Sequence, residues 1–95
     1  MKMADWYVYV VRCSDNSLYT GITIDVERRI DEHNNNNRLG AKYTRARRPV
    51  TLVYSEALAS KSEAAKRECA IKQLTKDEKE QMIAGEAGGL SSPVP

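Results

Sequence analysis

Residues 6–13, WYVYVVRC, crowd aromatic and β-branched side chains together without a clean two-residue alternation. That pattern predicts a strand covered on both faces and central in its sheet. Asp15-Asn16-Ser17 is turn chemistry, and LYTGIT (18–23) predicts a second strand, so the first unit reads as a β-hairpin. A three-residue loop of Asp15, Asn16 and Ser17 would set Tyr9 opposite Thr23 and Tyr19 opposite Cys13, with both tyrosines on one face. A two-residue loop would put them on opposite faces, and both lengths are common.

Beyond the hairpin the period changes. Val26, Ile30 and His33 recur at helical spacing, which predicts a helix over about 25–36, capped by Thr23 or Asp25. Arg29 and His33, four apart, are neighbours on its surface. Asn34 to Asn37 make a poor helix interior and predict a flexible rim, with Gly40 in the loop beyond. VTLVYSEA (50–57) predicts a third strand after Pro49. Ser60 with Glu63 is a capping box opening a helix over about 61–74, and Thr75 with Glu78 opens another that ends near Gly85. The layout ββαβαα predicts an α+β fold, a small three-stranded antiparallel sheet flanked by helices. Residues 3–84 are expected to form its one domain and 85–95 a disordered tail.

Composition narrows the chemistry. The chain has 95 residues, 41% hydrophobic and 29% charged, as expected of a small globule rather than a disordered chain. No apolar run approaches the ~20 residues that span a bilayer, and MKMADWYVYVV lacks the layout of a signal peptide. A cytoplasmic protein with two reduced, partly buried thiols, Cys13 and Cys69, is the expectation. His33 is the only histidine, so a structural zinc site lacks ligands. No G-x-S-x-G turn, P-loop or G-x-G-x-x-G is present.

The net charge of +2 matters less than its placement. Arg38, Lys42, Arg45, Arg47 and Arg48 fall in one acid-free window around Tyr43, and outside it acids outnumber bases. Such a cluster suits a phosphate backbone, with the ring free to stack on a base; it also suits a merely solvated loop. Five further groups have chemical potential: Tyr9, Tyr19, Arg29, His33 and Glu68. Each alone has an ordinary explanation: packing for the tyrosines, a solvated cation for Arg29, an edge residue for His33, and a partner for Lys72 in the case of Glu68.

Taken in order, YVYVVRCSDNSLYTG and ITIDVERRIDEH resemble the signature of the GIY-YIG nuclease superfamily. Tyr9 matches the tyrosine of its first element, Tyr19-Thr20-Gly21 the second, and Arg29 the helix arginine. His33 matches a position held by His or Tyr, and Glu68, in EAAKRECAIKQL, the metal-binding glutamate. The likeness covers about residues 6–75 and, with GAKYTRARRPVTLVY, is closest to small stand-alone bacterial members. Three departures stand out: Tyr7-Val8-Tyr9 replaces Gly-Ile-Tyr, Ile22 stands where some members place a lysine, and the asparagine some members use late in the domain lacks a counterpart after Leu74.

The resemblance implies an endonuclease hydrolysing phosphodiesters of nucleic acid, DNA ahead of RNA, of use in repair or recombination. With no zinc finger or helix-turn-helix in the sequence, structural or weak sequence preference is expected. It implies one Mg²⁺ or Mn²⁺ held by Glu68 and waters, Arg29 gripping a phosphate oxygen, and one tyrosine as base. His33 would hydrogen-bond that tyrosine, and Arg29 and the metal would draw its pKa down toward neutrality, roughly 4 kcal/mol of differential stabilisation. Gly21 would let the DNA backbone approach the sheet, and the window Arg38–Arg48 would track phosphates. Two other readings stay open on the residues alone. One is a nucleic-acid-binding module with feeble or no catalysis; the other is a protein-interaction adaptor docking through Trp6, Tyr7 and the asparagine-rich loop.

Overall fold

β1 (Trp6–Arg12) lies between β2 (Leu18–Thr23) and β3 (Thr51–Leu58), antiparallel to both, in the computed structural model, which describes residues 5–88. The predicted central strand is therefore central. Around the sheet stand α1 (Val26–Asn35), α2 (Lys42–Arg45), α3 (Lys61–Lys72) and α4 (Lys76–Gly88). Three of the helix starts carry the caps that the sequence predicts. Asp25 accepts from the Arg28 N–H (3.1 Å) and Ser60 from the Glu63 N–H (3.2 Å). Thr75 and Glu78 bond reciprocally, at 3.1 and 2.9 Å. α4 passes through Gly85, where an end was expected, because that glycine keeps out of the left-handed region. The expected tail from residue 89 on lies outside the described residues, as do residues 1–4.

The hairpin corrects the expected register. Tyr9 faces Gly21 and Val11 faces Tyr19, while the Cys13 N–H donates to Ser17 O at 2.8 Å. The loop is thus Ser14, Asp15 and Asn16, closed by Asn16 at φ 70°, a conformation asparagine tolerates better than most residues. The two-residue shift preserves parity, so Tyr9 and Tyr19 still share a face.

Alternate residues of β1 feed two different interiors. Val8 and Val10 point under α3 and α4, forming a dry cluster with Tyr54, Ile71 and Ile83. Tyr9, Val11 and Cys13 point the other way, packing with Val50, Tyr19 and Ile30. Arg12 fastens β1 to α4 through two 2.7 Å bonds to Glu80. Arg67 fastens α3 to β3 through Glu56 at 2.9 Å, an oxygen to which Tyr54 also donates.

The asparagine run is built in rather than a loose rim. Asn34 grips Val50 from both sides, donating to its carbonyl (3.0 Å) and accepting from its N–H (2.7 Å). Asn36 Oδ1 accepts from the Arg38 and Leu39 N–H groups. Asn35 and Asn37 stay exposed and bond to the side chains of Asp31 and Arg48. Both cysteines are free; Cys13 is buried, whereas Cys69 is exposed instead of partly buried. Among the described residues no helix is long and apolar enough to cross a membrane.

Candidate active site

Tyr9 projects from the middle strand and its ring lies across Gly21 of the neighbouring edge strand. A Cβ built at residue 21 would stand 2.6 Å from the Tyr9 hydroxyl oxygen, so only glycine fits beneath that phenol. The space expected to admit a DNA backbone at Gly21 is thus filled by Tyr9. α1 closes over this face with His33, 0% exposed, whose Nε2 lies 2.7 Å from the Tyr9 hydroxyl. Tyr19 sets its edge against the same imidazole, with ring centroids 5.4 Å apart, and stacks on Tyr43 at 5.8 Å. Four of the predicted groups therefore meet, because Arg29, one turn before His33, reaches the Tyr9 phenol as well.

Arg29 is held from two sides. Its Nη1 donates to Glu32 Oε1 (2.8 Å) and to the Leu39 carbonyl (2.6 Å). A guanidinium has five donors, so others remain for an anion.

The chain's own groups do not draw the Tyr9 pKa down. Burial pushes the Tyr9 phenol up to about 12, and Arg29 only partly opposes this, while the charges of Tyr19 and Glu68 add to the rise. Tyr9 is 1% exposed and is not a phenolate near neutrality. Burial, reinforced by Arg29 and Arg48 and opposed by Glu32, lowers His33 to about 4. The pair at neutral pH is a phenol hydrogen-bonded to an uncharged imidazole.

Glu68 sits on α3 with its side chain 23% exposed, and Lys72 Nζ lies 3.2 Å from its Oε2, the helical pairing that its sequence also allows. Its charge nevertheless reaches the Tyr9 phenol. Among the described residues no three His, Cys, Asp or Glu side chains cluster as a metal cage, and both nitrogens of His33 are engaged. One half-buried carboxylate does not suit zinc, but it fits a hard cation that keeps most of its waters and takes substrate oxygens. Ile22 packs into the apolar cluster on the other side of the sheet from both tyrosines.

The basic window divides. Arg48 donates to His33 O (2.5 Å), Asn36 O (3.1 Å) and Asn37 Oδ1 (2.9 Å), closing the last turn of α1. Arg45 donates to Asn37 O. Arg47 donates to Asp15 Oδ2 (3.1 Å) and Tyr43 O (2.9 Å), with its guanidinium 3.9 Å above the Tyr43 ring. These three arginines also organise the loop, a role the sequence alone did not suggest. The side chains of Arg38 and Lys42 stay exposed and make no hydrogen bond or ion pair among the described residues.

The sequence reading missed α2 and, within it, Thr44. This side chain is 0% exposed, with its hydroxyl 3.0 Å from His33 Nδ1 and 2.9 Å from the Ala41 carbonyl. Four helical residues are too few to show a period, and an uncharged threonine among arginines gives no signal of burial.

Known proteins share both the sequence and the fold. Residues 5–81 match the family model of the GIY-YIG catalytic domain. A UPF0213 protein of Desulfotalea psychrophila is 52% identical over 87 residues, 92% of this chain and 78% of that one. Another, from Staphylococcus haemolyticus, is 57% identical over 81 residues, covering 85% and 96%. The solution NMR structure of the UPF0213 protein of Bacillus halodurans superimposes with a TM-score of 0.54 at 46% identity, covering 84% and 83% of the two chains. A protein of E. faecalis, also solved by NMR, gives 0.58 at 36% identity over 99% and 96%. With a paired strand tyrosine and helix histidine, a helix arginine and a family model spanning most of its length, this chain belongs to the GIY-YIG catalytic domain family.

Proposed function

We propose that the protein is a metal-dependent endonuclease, in which Tyr9, Tyr19, Arg29, His33 and Glu68 act on one phosphodiester of a nucleic acid, DNA in preference to RNA. The observation that carries this reading is the buried 2.7 Å contact between Tyr9 and His33. A phenol held at about 12 is no base by itself. Joined to an uncharged imidazole, it becomes a relay. As the water oxygen bonds phosphorus, its proton moves to the Tyr9 oxygen and the phenol proton moves to Nε2. The bond from phosphorus to the 3′ oxygen breaks, and that oxygen takes a proton from solvent.

Arg29 would bind a non-bridging oxygen, and this has a second effect. Arg29 is one of the charges holding His33 down, so a phosphate anion against the guanidinium cancels part of that field and makes the imidazole more basic once substrate is bound. Glu68 would hold Mg²⁺ or Mn²⁺, which when bound neutralises charge on the phosphate and on the leaving oxygen. Tyr19 lines the path from the Tyr9–His33 pair to Tyr43. Beside that stack opens a cleft of about 420 Å³ bordered by Asn16, Tyr43, Lys76 and Lys79, room for a nucleotide flanking the cut. Arg38 and Lys42 would add phosphate contacts that read no bases, so the preference is for flaps, branches, nicks or strand ends. Repair or recombination is the matching use, and the cytoplasm the matching compartment.

The test incubates purified protein with branched, nicked and duplex DNA and with RNA, in Mn²⁺ and in EDTA, beside a Glu68→Ala control against contaminating nucleases. Cutting that needs the metal and is lost in the variant supports the reading. Salt-sensitive binding with no cutting on any substrate replaces it with the binding module, and no affinity at low salt replaces it with the adaptor.

A further inference from the structure

We propose that Thr44 is a positioning residue, whose hydroxyl accepts a hydrogen bond from His33 Nδ1–H, donates to the Ala41 carbonyl, and so holds the imidazole in the tautomer whose Nε2 receives the Tyr9 proton. The tautomer assignment stands by itself; its consequence for rate rests on the nuclease reading.

The argument is a count of protons. Thr44 has one hydroxyl hydrogen and two nearby partners, Nδ1 at 3.0 Å and Ala41 O at 2.9 Å. If the hydrogen goes to the carbonyl, the oxygen lone pair receives Nδ1–H, and Nε2 is left as an acceptor 2.7 Å from the Tyr9 hydroxyl. If it goes to Nδ1, the neutral ring must carry its own proton on Nε2, aimed at Tyr9, and Tyr9 has nowhere to send its proton. The Ala41 N–H favours this second arrangement, but it stands 3.4 Å from Nδ1. The 3.0 Å contact is made in either arrangement. The choice lies between the 2.9 Å bond to the Ala41 carbonyl, which also accepts the Thr44 and Arg45 N–H groups at 3.1 Å, and the Ala41 N–H at the 3.4 Å limit. The shorter bond prevails.

The same contact serves the ring after it has charged. An imidazolium buried here has two N–H donors, and Thr44 accepts from Nδ1 before and after transfer, so nothing need rearrange. The charged groups around the ring are Arg29 and Glu32 from α1 and Arg48 from the segment before β3, with Tyr9 and Tyr19 facing it from the sheet. None of these takes the place at Nδ1, where Thr44 is the side-chain partner among the described residues. A purely local role is the competing explanation, since Ser and Thr in helices often bond back to a carbonyl three residues earlier.

Because His33 is the only histidine, long-range ¹H–¹⁵N correlation spectra of the ¹⁵N-labelled protein at pH 7 report this tautomer without ambiguity. The expected spectrum shows Nδ1 protonated and Nε2 bare. In Thr44→Val, only the Ala41 N–H remains to meet Nδ1, and the proton moves to Nε2; Thr44→Ser keeps the wild-type pattern. On cleavable DNA, Thr44→Val is expected to lose about 10- to 100-fold in kcat with KM within about twofold, and Thr44→Ser to recover most of it. A wild-type spectrum with Nε2 protonated overturns the proposal even if the valine variant fails to fold. So does a folded Thr44→Val with an unchanged tautomer, or a serine variant as slow as valine. A wild-type protein with the expected tautomer that cuts nothing overturns the nuclease reading and leaves the assignment in place.

Discussion

The two sides of the sheet are built from the same strand and differ in almost every physical respect. Beneath α3 and α4, Val8, Val10, Ile71 and Ile83 make a dry contact whose worth is apolar area removed from water. Beneath α1, Tyr9, His33 and Thr44 are just as inaccessible but are joined atom to atom, with hydroxyl and imidazole meeting at 2.7 and 3.0 Å. The first side tolerates side chains of similar volume. The second demands particular atoms, since each buried polar group left unpaired costs about 1–3 kcal/mol. One side is held by apolar area, the other by hydrogen bonds between particular atoms.

That contrast breaks most sharply along β1 itself. Tyr9→Phe is expected to lower kcat by about 10²- to 10⁴-fold, the usual worth of a general acid–base group, whereas Val10→Ala should leave the kcat of folded protein within about twofold. Cleavage assays beside thermal melts separate the two. The reverse experiment is Ile71→Ala, which empties a fully buried site. It should cost about 2–5 kcal/mol in a urea titration and leave the pH dependence of cleavage alone.

Acid tests the polar side next. His33 titrates near 4 in the folded protein against 6.5 ordinarily, so between those values the unfolded chain binds more protons than the native one. Stability from this group is full above the unfolded value and is lost as pH falls through the window, about 3 kcal/mol at most. Urea titrations from pH 7 to 4 should show it, and His33→Gln should flatten that part of the slope; equal slopes would remove the buried neutral imidazole. The smallest effect concerns the rim. Arg38→Ala and Lys42→Ala should each reduce the slope of log affinity against log salt by about 1. Arg48→Ala should instead lower the melting temperature, because it closes α1.

What the sequence made legible were features written in short-range order. The crowded apolar run placed β1 at the centre, and two capping pairs and one apolar stripe placed three helices. The three-residue loop, one of two lengths the sequence allowed, puts Tyr9 and Tyr19 on one side even though it falls one residue earlier than expected. Arg29 and His33 met Tyr9 because one turn of helix separates them. What stayed hidden depends on partners far along the chain. Asn34 on Val50, Arg48 on the end of α1, and Thr44 on His33 leave no period, and a run of basic residues looks the same whether it faces phosphate or carbonyl oxygen. The raised pKa of Tyr9 was equally out of reach, because it depends on burial.

The fit of the Tyr9 ring over Gly21 has a last consequence. A residue anchored in the middle of the sheet carries its oxygen out over its neighbour, so in the proposed nuclease the proton-relaying oxygen would inherit the stiffness of three strands instead of the wander of a loop. Adding a single methyl group at that crossing, as in Gly21→Ala, would dislodge the oxygen while leaving every side chain around it unchanged.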